Sequence, residues 1–335
     1  MSERLSLAAY QTRAVDALSG VIRKVAELHD RDPAHRQTIA LKSGVTLLQS
    51  PTGSGKTLVL GRVLEGMRGA LSRPVVWLWF APYSGLVTQT REALVAQCGG
   101  LRVRDVAKDR EPNGTRDGDV FIQTWATVAA SNKDARKVRR TSEAALSFDD
   151  LIASWRDAGF FVGVVIDEAH LNFGASAKVA AGFYLDHIQP DFTILATATP
   201  SDEKLEAFER TAGIEVASRV IVPRTEVVDA GLNKVGLKLG VIRFREGDRD
   251  LIDHEQATLH AGWTQHCRVR ERLKEHGLAV SPLMLVQVED QAKGAEDPVK
   301  RVRDKLVEIG VDDAAIATHT SGQPDPDFHS LAYDP

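Results

Sequence analysis

The chain has 335 residues, 43% hydrophobic and 26% charged, with a formal net charge of −4. That length suits two α/β domains rather than one, and the composition excludes a mainly disordered chain. The slightly acidic balance excludes a global nucleic-acid footprint, so any strand-binding surface must be local. Residues 5–28 carry apolar side chains at helical spacing (Leu7, Ala8, Val15, Leu18, Val21, Ile22, Val25) and predict a helix. A polar break, "HDRDPAHRQ", follows. Short runs rich in Val and Ile then alternate with helical stretches, at residues 45–49, 75–80, 120–123, 162–166 and 193–196. Such runs read as buried parallel strands, so the expected fold class is α/β, a doubly wound parallel sheet. The charged stretch 129–159 reads as helical and 223–240 as a connector. Beyond it, 252–276 reads as a helix, "PLMLVQV" as a strand, 298–309 as a helix and "AIATHT" as a strand. These would begin a second α/β unit.

The longest apolar run, residues 75–82, is too short for a membrane span, and "MSERLSLAAY" carries no secretion signal. Cys98 and Cys267 have no metal-like spacing and are expected to be thiols in a reducing cytoplasm.

Two motifs carry chemistry. The first is "SPTGSGKT", residues 50–57, between a predicted strand and a predicted helix. Gly53 and Gly55 let backbone N–H groups turn inward and form an anion nest at a helix N-terminus. Residues Thr52, Gly53, Ser54, Gly55, Lys56 and Thr57 can then wrap a triphosphate. Lys56 reaches its β and γ phosphates, and the Thr57 hydroxyl can bind Mg²⁺. Ser50 stands where the general pattern GxxxxGK[ST] has its first glycine. The alternative is a plain Gly/Ser turn. The second motif is "VVIDEAH", residues 164–170. Asp167 is suited to hold Mg²⁺ through water, and Glu168 to orient and deprotonate an attacking water. A buried strand ending in adjacent carboxylates is costly without a cation to pair with them. ATP and Mg²⁺ are therefore the expected cofactors.

The order "SPTGSGKT" … "DEAH" … "TATP" (residues 197–200) resembles superfamily 2 helicases and translocases of the DEAD/DEAH-box kind. "FAPYSGLVTQT" is similar to that family's motif Ia, "VFIQTWATV" to the segment around motif Ib, and "SPLMLVQVED" to motif IV. "AAYQTRAV" is similar to its upstream adenine-reading element. With the "EVVDAGLNK" segment (residues 226–234), the chain looks most like the motor subunits of type III restriction enzymes. The resemblance implies a RecA-like ATP-binding domain over 1–230, a connector over 231–278, and the beginning of a second RecA-like domain over 279–335. It implies that Gln11 pairs with the adenine and that Lys56, Asp167, Glu168 and His170 serve hydrolysis. Thr197 and Thr199 would couple the cleft to the strand-binding face. Ser84, Gly85, Thr88 and Thr124 would touch nucleic-acid phosphates.

The implied partner is a nucleic acid, DNA favoured over RNA, with a modification, specificity or nuclease subunit as a further partner and no membrane. No pattern like the family's motifs V and VI follows "THTSG" (residues 318–322), so this chain alone is expected to hydrolyse ATP poorly. Two alternatives stand beside an ATP-dependent DNA helicase or translocase: an RNA helicase of the same superfamily, and a non-hydrolysing ATP-binding switch or assembly subunit. Of the aromatic residues, Trp77 and Trp79 read as core and Trp125 as a base-stacking candidate. The run "NKDARKVRR" (residues 132–140) reads either as a solvated helix face or as a phosphate contact.

Overall fold

The computed structural model describes residues 4–106, 108–111, 114–125, 146–169, 181–198, 203–235, 253–290 and 296–318. The chain falls into two compact units, 1–237 and 238–335.

The first unit is built on one sheet of seven parallel strands in the order β3-β4-β2-β5-β6-β1-β7. They are β1 (Val45–Gln49), β2 (Val75–Ala81), β3 (Arg102–Asp105), β4 (Asp119–Thr124), β5 (Phe161–Ile166), β6 (Phe192–Thr197) and β7 (Val216–Ile221). The sequence predicts five of these. It misses β3 and β7, which lie at the two ends of the sheet, where the residues are only half covered and arginines are tolerated.

Helices α1 (Ala9–Arg31), α3 (Lys56–Met67) and α4 (Ser84–Gln97) cover one face. Helix α5 (Phe148–Asp157), a π-helical turn at Phe183–Ile188 and α6 (Glu203–Ala212) cover the other. Helix α2 (Arg36–Lys42) leads into β1. Of the stretch 129–159, the part 129–145 lies outside the described residues. Helix α7 (Arg224–Asp229) stands where a plain connector is expected, because Pro223 presets its N-terminus.

Alternate strand residues serve opposite cores. Val76, Leu78 and Phe80 face one cluster, and Val75, Trp77 and Trp79 the other. Trp77 and Trp79 are fully buried, although among the described residues their indole N–H groups find no partner. Burying ~200 Å² of an aromatic at ~25 cal/mol/Å² gives roughly 5 kcal/mol, against roughly 1–3 for a stranded N–H. Packing therefore wins, and these residues are core. Gly163 makes room for one of them, since a methyl there would overlap the Trp77 ring. Gly61 on α3 likewise lets Cys98 and Leu94 close in; an added Cβ would lie 2.7 Å from the Cys98 sulfur.

The second unit holds α8 (His254–Glu275) and α9 (Pro298–Glu308), with N-caps supplied by Asp253 and Asp297. Leu259, Val302, Leu306 and Val311 form its small core, and Met284, Val286 and Val288 pack against it. The run "PLMLVQV" thus alternates as a strand does, with Leu283 and Leu285 more than 80% exposed. Among the described residues it has no ladder, so it and 316–318 are extended segments rather than the expected strands. A strand needs a neighbour for its N–H and C=O groups, which a side-chain pattern alone does not supply. Among the described residues no helix is long and apolar enough to cross a membrane.

Candidate nucleotide-binding site

The strand order explains why two motifs far apart in sequence meet. β6 separates β1 from β5, so the loop after β1 and the carboxylates after β5 flank the end of one strand. Ligands of open parallel sheets gather at this carboxyl edge. The backbone N–H of Ser50 donates to Thr197 O at 3.0 Å, which starts the loop from the end of β6. Thr197 itself is buried.

In the loop, Gly53 and Gly55 take φ of 80° and 78°, a left-handed conformation that disfavours a side chain. A Cβ on Gly55 would also lie 2.5 Å from Gln11 Nε2 and so would displace that side chain from the loop. Ser54 N–H donates to Pro51 O at 3.2 Å, and Ser50 Oγ to Ser54 Oγ at 2.6 Å. The hydroxyl at position 50 thus has a partner that a glycine would lack. Two residues of α1 clamp the loop from outside: Tyr10 Oη and Gln11 Nε2 donate to Ser54 O at 2.7 and 2.9 Å. Gln11 Oε1 accepts from Ala8 N–H at 2.9 Å, so the expected adenine reader also holds the phosphate loop. Nothing in the motif at 50–57 signals the Tyr10 hydroxyl.

Lys56 opens α3 with its side chain largely buried. Its Nζ lies 3.2 Å from Glu168 Oε1 and 3.4 Å from Ser50 O. Asp167 follows β5; its N–H donates to Phe80 O at 2.9 Å, and its Oδ1 accepts the Glu168 N–H at 3.0 Å. Burial first, then the neighbouring Glu168 charge, push the Asp167 carboxyl up to about 6. Glu168 sits at φ 45°, a strained conformation for a non-glycine residue and one that gathers at functional sites. Thr57 is half-buried beside Lys56, and Thr52 is exposed at the loop's rim.

This donor set fits a polyphosphate with a hard cation. It combines an N–H nest, one buried ammonium, a hydroxyl, and a desolvated carboxylate. Thr52, Gly53, Ser54, Gly55, Lys56, Thr57, Asp167 and Glu168 therefore converge on one edge. His170 and Thr199 lie outside the described residues, as does the run 132–140.

Ser84, Gly85 and Thr88 are exposed on the first turns of α4, after β2, and Thr124 is half-buried at the end of β4. Trp125 overturns its sequence reading. It is 3% exposed, edge-on to Phe80 at 4.7 Å and packed near Phe183 and Phe208. Its indole lies in the core, where no base can stack.

Several solved structures are similar. The UvsW helicase of bacteriophage T4 shares 15% identity over 66% of this chain and 62% of that one, at a TM-score of 0.39. The Hef helicase domain of Pyrococcus furiosus shares 18% over 75% and 46%, at 0.38. The type ISP restriction-modification enzyme LlaGI, in complex with a DNA substrate mimic, shares 14% over 81% and 23%, at 0.40. The chain thus spans less than two thirds of each of these. A search of the curated proteins returned no match. The family model described as "Type III restriction enzyme, res subunit" matches residues 4–202. That match covers more than half of the chain, phosphate loop and paired carboxylates included, and on it the chain belongs to the type III restriction enzyme res subunit family.

Proposed function

We propose that residues 1–230 form the ATP-binding RecA-like domain of a DNA-dependent ATPase motor, joined by the connector 231–278 to the beginning of a second RecA-like domain at 279–335. One observation carries this reading: Lys56 Nζ stands 3.2 Å from Glu168, beside Asp167, on a glycine nest. Before nucleotide binds, the ammonium and the Glu168 carboxylate neutralise each other. A triphosphate in the nest draws Lys56 to its β and γ oxygens, which frees Glu168 to orient a water and accept its proton. Bound Mg²⁺ would supply charge neutralisation at the phosphates, held by Thr57 and, through water, by Asp167.

Thr197 and Thr199 are proposed to couple the cleft to the strand. Ser84, Gly85, Thr88 and Thr124 are proposed to touch DNA phosphates, contacts that carry no base sequence. DNA is favoured because restriction, the activity in the family's description, acts on DNA. A modification, specificity or nuclease partner is proposed as well, supported by the word subunit in the same description.

The test is titration of a fluorescent ADP analogue with Mg²⁺ into the wild type and Lys56→Ala, followed by ATPase assays with duplex DNA and with single-stranded RNA. The expected result is saturable binding that falls at least tenfold in Lys56→Ala, and any stimulation of hydrolysis by DNA rather than RNA. Equal binding by both proteins overturns the site, and stimulation by RNA alone overturns the DNA assignment.

A further inference from the structure

A third side chain grips the phosphate loop, from the far end of the first unit. Helix α7 ends in a left-handed Gly231, φ 72°. Leu232 N–H donates to Val227 O at 3.0 Å and Gly231 N–H to Val228 O at 2.9 Å. This is the paired closure that fixes how a chain leaves a helix. The helix itself is anchored by fully buried Val227 and by the Arg13–Glu226 ion pair to α1. The departing chain is thereby laid against the loop: Asn233 Nδ2 donates to Thr52 O at 3.1 Å, and Leu232 O lies 3.6 Å from where a Cβ on Gly53 would sit. The other end of the Asn233 carboxamide accepts Lys234 N–H at 2.8 Å, and Arg224 donates to Lys234 O at 2.7 Å. The amide is therefore held in one orientation, with its N–H₂ toward the loop.

In a trans peptide the C=O of one residue and the N–H of the next point in opposite directions. Asn233 holds Thr52 O outward, so the Gly53 N–H is turned inward. Tyr10 and Gln11 do the same at Ser54 O, and so turn the Gly55 N–H inward. Both peptides precede glycines, which accept φ of either sign, and without an outside hold each could flip and present a carbonyl to the phosphates. We propose that Asn233 is a positioning residue of the nucleotide site. By fixing the peptide between Thr52 and Gly53 it keeps one nest N–H aimed at the β and γ phosphates, as Tyr10 and Gln11 keep the other.

The inference rests on the nucleotide reading above, and its test separates the two. The full chain and its Asn233→Ala and Asn233→Asp variants are titrated with a fluorescent ADP analogue and Mg²⁺, and with AMP in competition. Asn233→Asp matches the native side chain in shape but has no N–H to give Thr52. Expected is a roughly three- to tenfold weaker ADP affinity in both variants, the worth of one hydrogen bond, with AMP affinity and melting temperature unchanged. Wild-type ADP affinity in the variants overturns the role of Asn233 while leaving the site standing. An equal loss for AMP and ADP also overturns it, because that marks a general structural effect. Failure of the wild type to bind ADP at all sinks both readings.

Discussion

At the amino ends of the strands, Asp117, Asp119 and Asp191 each accept two or more hydrogen bonds. Arg36 makes a two-pronged contact to Asp191 at 2.6 Å in each prong, and Val162 N–H adds a third bond at 2.8 Å. Arg102 grips Asp119 in the same way, and Asp117 accepts the N–H groups of Gly69 and Val75. At the carboxyl edge of the same sheet, Asp167 is buried with its carboxyl pushed up to about 6, and Glu168 holds a strained backbone. One edge spends its charges on folding. The other gathers an ammonium and two carboxylates, one of them pushed up by burial, beside a strained backbone, the expected mark of a functional site.

The sharpest challenge to this contrast is Asp191→Ala. It leaves the Arg36 guanidinium and the start of β5 without their partner, and should cost about 3–5 kcal/mol in urea unfolding. Nucleotide affinity of the folded fraction should stay unchanged; if it drops, the two edges are not separable. Asp167→Asn should do the opposite, raising stability of the nucleotide-free protein by up to about 3 kcal/mol at pH 8. The sign follows from the raised carboxyl: folding disfavours the ionised form, so the cost of the native Asp grows from pH ~3.8 to about 6 and is constant above. The gain from Asn should therefore vanish near pH 3.5 or so, and a gain that persists there refutes burial as its cause. The smallest effect expected is for Ser50→Gly, about 1 kcal/mol lost with the hydroxyl bond to Ser54, read as a fall in Tm. An unchanged Tm would mean that the general glycine fits as well.

Much of this was legible in the sequence where one residue type has one physical use. The inner strands read clearly because both their faces are buried and apolar residues dominate them. Edge strands such as "RVRD" have no such run, since half of each faces water. The phosphate loop and the paired carboxylates read clearly because glycines, a lysine and acids at fixed spacing have few other reasons to occur. Asn233 did not, because it lies 181 residues from Thr52 and only the end of α7 brings it there. Trp125 misled for a related reason: its polar neighbour Thr124 suggests a surface, while the rings it packs against, Phe80, Phe183 and Phe208, lie far away in sequence.

The close approach of Cys98 to Gly61 has a practical consequence. Burial pushes that thiol up to about 11, so it is both inaccessible and protonated at neutral pH. Cys267, the other of the two cysteines, is half-exposed in the second unit. A thiol reagent will thus modify Cys267 in the native state and Cys98 only when α3 and α4 part. The rate of the second modification times the breathing of the nucleotide-binding unit alone. The natural chain thereby carries a built-in clock for how far a bound nucleotide quiets that motion.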